Sequence, residues 1–331
     1  LAEQISFFED ELRIPLVPEP ESSKLFPMSQ RARDVRDALL ARVERNGARV
    51  MFNTTVADIS PASGRWRVGL DSGAPVLADA VIVATGGLSV PNTGSDGRGL
   101  AMLERLGHVM HPTYAALTPL TGSDVQFAAL SGVSLPVTIT ARAADRSAVA
   151  SGGFLFTHHG YSGPSVLDVS HVSVRSRQEP AAPARVSVRW TSLGETEWTA
   201  AFQPRGARTV LGAVRAALPD RLAATLVDMA NVDAGRTLSD LRRDERLRLI
   251  DVLVNGTLPV SGDEGYKKAE VTGGGVSLAE VDARTMESRR HAGLFICGEA
   301  LDAFGPIGGY NFFWAWATGR AAGIGAARPI E

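Results

Sequence analysis

Apolar positions recur along this chain with two periods. Ala32, Val35, Leu39, Leu40 and Val43 repeat with helical spacing, which predicts a helix from about Gln30 to Asn46, with Ser29 as N-cap and Gly47 as its stop. A short helix over residues 3 to 12 precedes it, and a strand over Val50 to Val56 follows. Trp66, Val68 and Leu70 alternate, and Asp71-Ser72-Gly73 turns the chain toward Val76 and Leu77, the pattern of a β-hairpin or meander. The run Ala80 to Ala84 is apolar and β-favouring and ends in Thr85-Gly86-Gly87, so it reads as a buried strand opening onto a tight turn. A second glycine-rich loop, Pro91 to Gly99, feeds a helix over Leu100 to Leu106.

From about Tyr114 short β-like runs alternate with turns: Val133 to Ala141, Gly153 to Thr157, Val166 to Val174 and Arg185 to Thr191. They predict a compact β-subdomain of barrel type. Three helical stripes follow, Leu211/Val214/Leu218, Leu222/Leu226/Met229 and Leu247/Ile250/Val254/Leu258. Strand-and-glycine character then resumes at Ala269 to Val276 and in the segment Gly293 to Gly323. With βα character at both ends, the fold class expected is α/β. The chain divides as a first part, 1–113, a β insert, 114–203, a helical insert, 204–261, and a second part, 262–331, the two ends forming one discontinuous domain.

The segment Gly293 to Gly323 carries the strongest hint of chemistry. Leu294 to Cys297 reads as a buried strand ending at Gly298-Glu299; Gly305, Pro306, Gly308 and Gly309 form a loop nearly free of side chains; Asn311 is placed to cap the helix that follows. Strand end, glycine loop and helix start make a cradle in which backbone N–H groups face a ligand with partial positive charge. An ordinary strand–turn–helix unit fits the segment alone equally well. Glu299, at the end of a buried strand, needs a hydrogen-bonding partner. Trp314 and Trp316 read as core.

Length and charge narrow the classes. At 331 residues the chain has room for more than one core, and a net charge of −2 gives no reason to expect nucleic acid as a partner. No apolar run reaches the length of a membrane span, and the single cysteine, Cys297, suits a reducing cytoplasm. The chain starts at Leu1, and the expectation is that an N-terminal piece is missing.

Four stretches, VIVATGGLSVPNTGSDGRG, FLFTHHGYSGPSVLDVS, AEVTGGGVSLAEVD-ARTMES and GLFICGEALDAFGPIGGYN, together with LFPMSQRARDV, resemble in order the BaiN-like (YhiN-like) family of bacterial FAD-dependent oxidoreductases. The resemblance implies an FAD-binding, Rossmann-like domain of the two-dinucleotide-binding type, interrupted by a β-barrel-like and a helical insert. It puts Val56 by the adenine side and Ala84, Thr85, Gly86 and Gly87 along the ADP portion. It puts Gly298 and Glu299 at the ribityl and pyrophosphate region, and Gly308, Gly309, Tyr310 and Asn311 against the flavin ring. The family's first strand and its G-x-G-x-x-G loop have no counterpart before Leu1.

The expected activity is therefore FAD-dependent hydride transfer between NAD(P)H and a small organic substrate, with His158 and Tyr161 offered as catalytic residues. Local turn hydrogen bonding is the competing reading for the histidines. A family member that binds no FAD and serves as an interaction module is the alternative. A flavin-dependent enzyme acting on tRNA is a third reading, which the acidic balance disfavours. No metal-ligand spacing stands out.

Overall fold

The computed structural model describes residues 1–20, 24–122, 125–180, 182–204 and 206–327. Part of the Pro/Ala-rich loop at 178–184 and the last four residues lie outside them. In chain order the first segment holds helix α1 (Ala2–Ser6), a π-helical turn Phe7–Glu11, the hairpin β1 (Leu16–Pro18) and β2 (Leu25–Pro27), helix α2 (Ala32–Arg45), strands β3 (Val56–Ala62), β4 (Arg65–Leu70), β5 (Val76–Ala78) and β6 (Val81–Val83), and helix α3 (Arg98–Arg105). The middle holds β7 (Met110–Ala116), β8 (Leu120–Thr121), α4 (Val125–Ala128), β9 (Ser134–Arg142), β10 (Ser147–Phe156), β11 (Gly160–Ser162), α5 (Pro164–Gln178), β12 (Arg185–Arg189), α6 (Glu195–Ala201), α7 (Val210–Arg215), α8 (Asp220–Met229), α9 (Arg243–Asn255), β13 (Gly256–Leu258) and β14 (Gly262–Asp263). The last segment holds β15 (Val271–Val276), β16 (Leu294–Ile296) and α10 (Tyr310–Ala326). The molecule is mixed α/β.

Two compact units result. One comprises Leu1–Gly86, Gly97–His111 and Gly275–Glu331, the other Gly87–Asp96 and Pro112–Gly274. In the first, β6 and β16 pair in parallel, with Leu294 opposite Val81 and Ile296 opposite Val83. A separate antiparallel sheet runs β3-β4-β5. Their core gathers Ile59, Trp66, Val83, Leu103, Leu294, Phe295 and Ile296. Cys297 belongs to it at 4% exposure, and burial pushes its thiol pKa up, as for a packing residue.

The second unit is built on a seven-stranded sheet ordered β13-β12-β9-β10-β11-β8-β14. That order has two ends, so the barrel-type subdomain expected from the alternating runs is an open sheet. One face packs against α5 and the helices α6 to α9 around Phe127, Phe154, Phe156 and Trp190, with Phe156 stacked on Trp190 at 5.8 Å. The opposite face is exposed and mostly polar, with Val149 and Leu155 among its residues, the alternation expected of an antiparallel sheet solvated on one side.

Local readings shift in three places. Val166 to Val174, taken as a strand, is the middle of α5: Gly163-Pro164 starts a helix, and Val166, Val169 and Val172 then fall on one buried face. The strand expected over Val50 to Val56 begins only at Val56, because Asn53 takes a left-handed conformation (φ 53°) and Phe52 is exposed. On α9 the buried apolar positions are Leu249, Ile250, Leu253 and Val254, while Leu247 is exposed and Leu258 lies in β13.

The Thr272-Gly273-Gly274-Gly275 run has a packing cause. β15 pairs with β7, and every residue of β15 is buried. A Cβ on Gly273 would fall 2.2 Å from the Tyr114 ring, and one on Gly274, itself at φ 80°, would fall 2.2 Å from the Pro112 carbonyl oxygen. Gly273→Ala is therefore expected to cost roughly 1–3 kcal/mol, as overpacked cores do. Gly323→Ala meets nothing within 4 Å on α10 and should be neutral or stabilising by up to about 1 kcal/mol. Urea denaturation of both variants checks the contrast.

His108 is buried, with Nδ1 3.1 Å from the Leu103 carbonyl oxygen and Nε2 2.9 Å from Ser288 Oγ. A carbonyl only accepts, so Nδ1 carries the proton and the neutral ring accepts from Ser288 at Nε2. Burial holds its pKa below the ordinary histidine value, against the smaller upward pull of the Leu103 hydrogen bond. The unfolded chain then binds a proton more readily than the folded one as pH falls below about 6.5. The contribution to stability is complete above that pH and is lost as pH falls through the lower folded value. His108→Gln should flatten the fall in urea-denaturation stability between about pH 6.5 and 5. His171, which burial also holds low, supplies a remaining slope.

Candidate functional site

The carboxyl ends of parallel β6 and β16 lie side by side, and both run into glycine turns. Cys297 N donates to the Val83 carbonyl at 3.2 Å, extending the pairing one residue past the end of β16. Ala84, Thr85 and Gly86 follow β6, with Ala84 and Thr85 exposed and Gly86 at φ 72°. Gly298 and Glu299 follow β16 in a 3₁₀ turn, both half-buried, with Gly298 at φ 68°. The mouth of parallel strands is where α/β folds expose backbone to ligands.

Helix α10 is tied to that mouth through one residue. Gly298 N donates to Thr318 Oγ1 at 3.0 Å, and Trp314 Nε1 donates to the Gly298 carbonyl at 3.1 Å. The Thr318 hydroxyl donates in turn to the Trp314 carbonyl at 2.7 Å. Thr318 is 3% exposed, so these bonds are shielded from water. Trp314, read as core, does pack against the core around β16, and its indole N–H also fixes the strand end.

The helix start is left open. Its N-cap is Gly309 at φ 89°, with no side-chain cap, and Gly308 precedes it at φ 138°. Asn311, expected to be the cap, lies inside the helix and clamps the loop instead. Gly305 N donates to Asn311 Oδ1 at 2.8 Å, and Asn311 Nδ2 donates to the Gly305 carbonyl at 3.1 Å. The reason is chain direction: at the second helical position the side chain points back over the preceding loop. The N–H groups of the first helical turn have no intrahelical partner, and a Cβ built at Gly309 or Gly298 meets nothing within 4 Å. Tyr310, the first helical residue, is 59% exposed. The arrangement suits an anionic or electron-rich group.

A second helix start closes on the same strand end. Gly99, in the first turn of α3, packs so tightly on Thr85 that a Cβ would fall 1.8 Å from Thr85 Oγ1. Val56 is half-buried at the start of β3, opposite Leu70, and packs against the same core.

The other expected residues lie in the second unit. Gly87 is buried there, and Leu88 N and Ser89 N behind it both donate to Thr272 Oγ1, at 2.7 and 3.0 Å. Tyr161 is 1% exposed within the Phe127, Phe154 and Phe156 cluster, and its hydroxyl donates to the Pro259 carbonyl at 3.2 Å. Its position is that of a core residue. His158 is exposed in the turn between β10 and β11, beside a shallow recess lined by Gly122, Phe127, Thr157 and Gly160. Thr318 went unsingled in the sequence. Its signal was a lone hydroxyl in an apolar helix, one turn beyond Trp314.

A family model, the HI0933-like protein Rossmann domain, matches residues 2–325. The chain belongs to the HI0933-like family. It is 30% identical over 315 residues to a ribosomal RNA dihydrouridine synthase of Haemophilus influenzae, covering 94% of this chain and 76% of that one. It is 31% identical over 293 residues to the Escherichia coli protein of that name, covering 88% and 71%. It is 30% identical over 318 residues to the 3-dehydro-bile acid delta(4,6)-reductase of Clostridium scindens, covering 92% and 76%. The resemblance drawn from the motifs therefore holds. The exclusion of nucleic acid does not: two of these relatives are named for ribosomal RNA, and net charge sums the whole surface without describing any one face of it. Among the described residues no helix is long and apolar enough to cross a membrane.

Thr318→Val keeps the shape and removes the hydroxyl, leaving the half-buried Gly298 N–H without its acceptor. It should cost about 1–3 kcal/mol, and Thr318→Ser should recover most of that. Urea denaturation of the two variants measures the difference.

Proposed function

We infer that this protein is an FAD-dependent oxidoreductase that saturates a carbon–carbon double bond conjugated to a carbonyl group, with NAD(P)H as the hydride source. The observation that carries the reading is the chemistry shared by relatives aligned over 88% to 94% of this chain. Making dihydrouridine saturates the uracil 5,6 double bond, which is conjugated to the base's 4-carbonyl. A delta(4,6) reduction of a 3-dehydro bile acid acts on double bonds conjugated to its 3-keto group. Both are hydride additions to an electron-poor alkene, followed by protonation of the neighbouring carbon. We take a uracil base in RNA as the substrate, because two of the three relatives are named for it.

Flavin, when bound, supplies the hydride chemistry. The chain's own part is to hold and polarise it. In this reading the uncapped start of α10, from Gly309 through Asn311, turns N–H groups toward the electron-rich edge of the ring. The helix end favours negative charge there by about 0.3–1 kcal/mol, more where it is partly buried. Asn311 keeps the Gly305–Gly308 loop in the shape that exposes those groups. Glu299, half-buried at the strand mouth, accepts from ribityl or ribose hydroxyls. Ala84, Thr85, Gly86 and Gly87 follow the ADP portion, with Val56 on the adenine side. His158 is the exposed titratable group assigned to proton delivery, and Tyr161 supports the hairpin that carries it.

The purified protein should be yellow, release FAD on denaturation, and bleach when NADPH or NADH is added without oxygen. Asn311→Ala should weaken FAD retention by roughly ten-fold, about 1.4 kcal/mol, with a smaller change in folding stability. Dihydrouridine should form in a uridine-containing ribosomal RNA fragment. Saturation of a steroid enone with no change in RNA would move the substrate to the small-molecule class. A colourless protein with no releasable flavin would sink the reading.

A further inference from the structure

The outward face of the seven-stranded sheet carries arginines without a balancing carboxylate. Strands β9, β10, β12 and β13 contain three arginines, Arg142, Arg185 and Arg189, and no aspartate or glutamate. Register puts them all on the solvent side. Arg185 pairs with Arg142, which pairs with Ser147; Ser187 pairs with Thr140 and Thr140 with Val149; Arg189 pairs with Thr138 and Thr138 with Ser151. Directly paired residues of antiparallel strands share a face. The intervening positions, Val186, Val188, Ile139 and Ala141, are buried on the other side, and the three arginines are exposed.

Arg142 and Arg185 therefore stand directly opposite each other, with Cβ atoms about 5 Å apart, a like-charge pairing that destabilises a sheet. Nothing on the face relieves it. Among the described residues no ion pair involves Arg142, Arg185 or Arg189, and Arg185 Nη2 reaches only the neutral Thr257 Oγ1, at 3.3 Å. The acidic groups next to the β9–β10 turn, Asp145 and Glu179, are both engaged by Arg146. Between the arginines lie hydroxyl donors, with Thr138 and Ser151 hydrogen-bonded at 2.8 Å. Arg185 and Arg189 are four residues apart on one strand, about 13 Å, and the four strands span roughly 14 Å across.

We propose that this face binds the phosphodiester backbone of an RNA. Guanidinium groups bind phosphate bidentately, and serine and threonine hydroxyls are the usual neutral phosphate donors. An array of both, in four strands that hold no carboxylate and in which Val149 is the large apolar residue most exposed, fits a strand of phosphates better than an apolar partner. Anion binding also removes the repulsion between Arg142 and Arg185. The inference rests on the reading of an RNA substrate, and it locates the holding surface for that substrate in the second unit.

The test is fluorescence-anisotropy titration of the full chain with a labelled uridine-rich single-stranded RNA, repeated from about 50 to 300 mM salt. The triple variant Arg142→Gln/Arg185→Gln/Arg189→Gln should bind roughly ten-fold more weakly at the lowest salt, and its log–log salt slope should be shallower by about 2, three contacts at ~0.7 each. Thr140→Glu, which sets a carboxylate in the middle of the face, should weaken binding in the same direction. Arg33→Gln/Arg49→Gln/Arg243→Gln, three exposed arginines elsewhere, should change affinity less than about two-fold. Circular dichroism and thermal melting establish that each variant is folded. Failure of the wild-type chain to bind the RNA, an unchanged salt slope in the face variant, or an equal loss in the control variant overturns the proposal. Flavin content and reduction of a small conjugated enone are measured on the same proteins. Their absence throughout would remove the reductase reading and leave the RNA result standing.

Discussion

Helix α10 is held to the mouth of the parallel pair by the backbone of one glycine. Gly298 gives its N–H to Thr318 and receives the Trp314 indole N–H at its carbonyl. Both side chains come from the same helix, one turn apart, so the two bonds define where the helix lies and how it is rotated about its axis. Left-handed backbone at Gly298 presents both peptide groups to the helix at once, and few residues other than glycine adopt that conformation readily. The open helix start, the Asn311 clamp and the glycine loop before it all follow from this attachment. Loosening it moves every N–H group of the cradle together.

The first unit thus divides its polar groups by task. Buried ones such as Thr318, Trp314 Nε1, His108 and Ser288 are used up in internal hydrogen bonds. Those at the strand mouths and the start of α10 face outward with little side-chain cover. The start of α10, like those of α1, α2 and α3, has no side-chain cap, and it differs from the first two in following a glycine loop. In the second unit one face of the sheet is closed by aromatic packing around Trp190, and the other displays hydroxyls and guanidinium groups together with Val149 and Leu155. In the proposals made above, the polyanion would meet side-chain cations and the electron-rich ring would meet fixed backbone dipoles.

Membership of the HI0933-like family places the chain beside relatives named for two substrates of very different size, a ribosomal RNA and a bile acid. In the function proposed above, the element common to both is a double bond conjugated to a carbonyl group.

The sequence by itself determined the elements that depend on near neighbours and strong patterns. The strands Val81–Val83 and Leu294–Ile296 were legible from their apolar β-favouring runs, although only the second is buried throughout and Ile82 is exposed, and the two glycine turns because the turn residues lie next to them. The family was legible in the same stretches. Tertiary structure alone decided the rest. Val166 to Val174 became a helix because a glycine–proline start and the packing of one valine face outweighed β propensity. Tyr161 went into the aromatic core because its strand register turned it inward, and Asn311 bonded the loop because a helix start aims side chains backward. The arginine face could not be read from spacing, since Arg142 and Arg185 lie far apart in sequence and meet only through strand pairing. Register between distant strands is set by the total burial of both, which no local pattern contains.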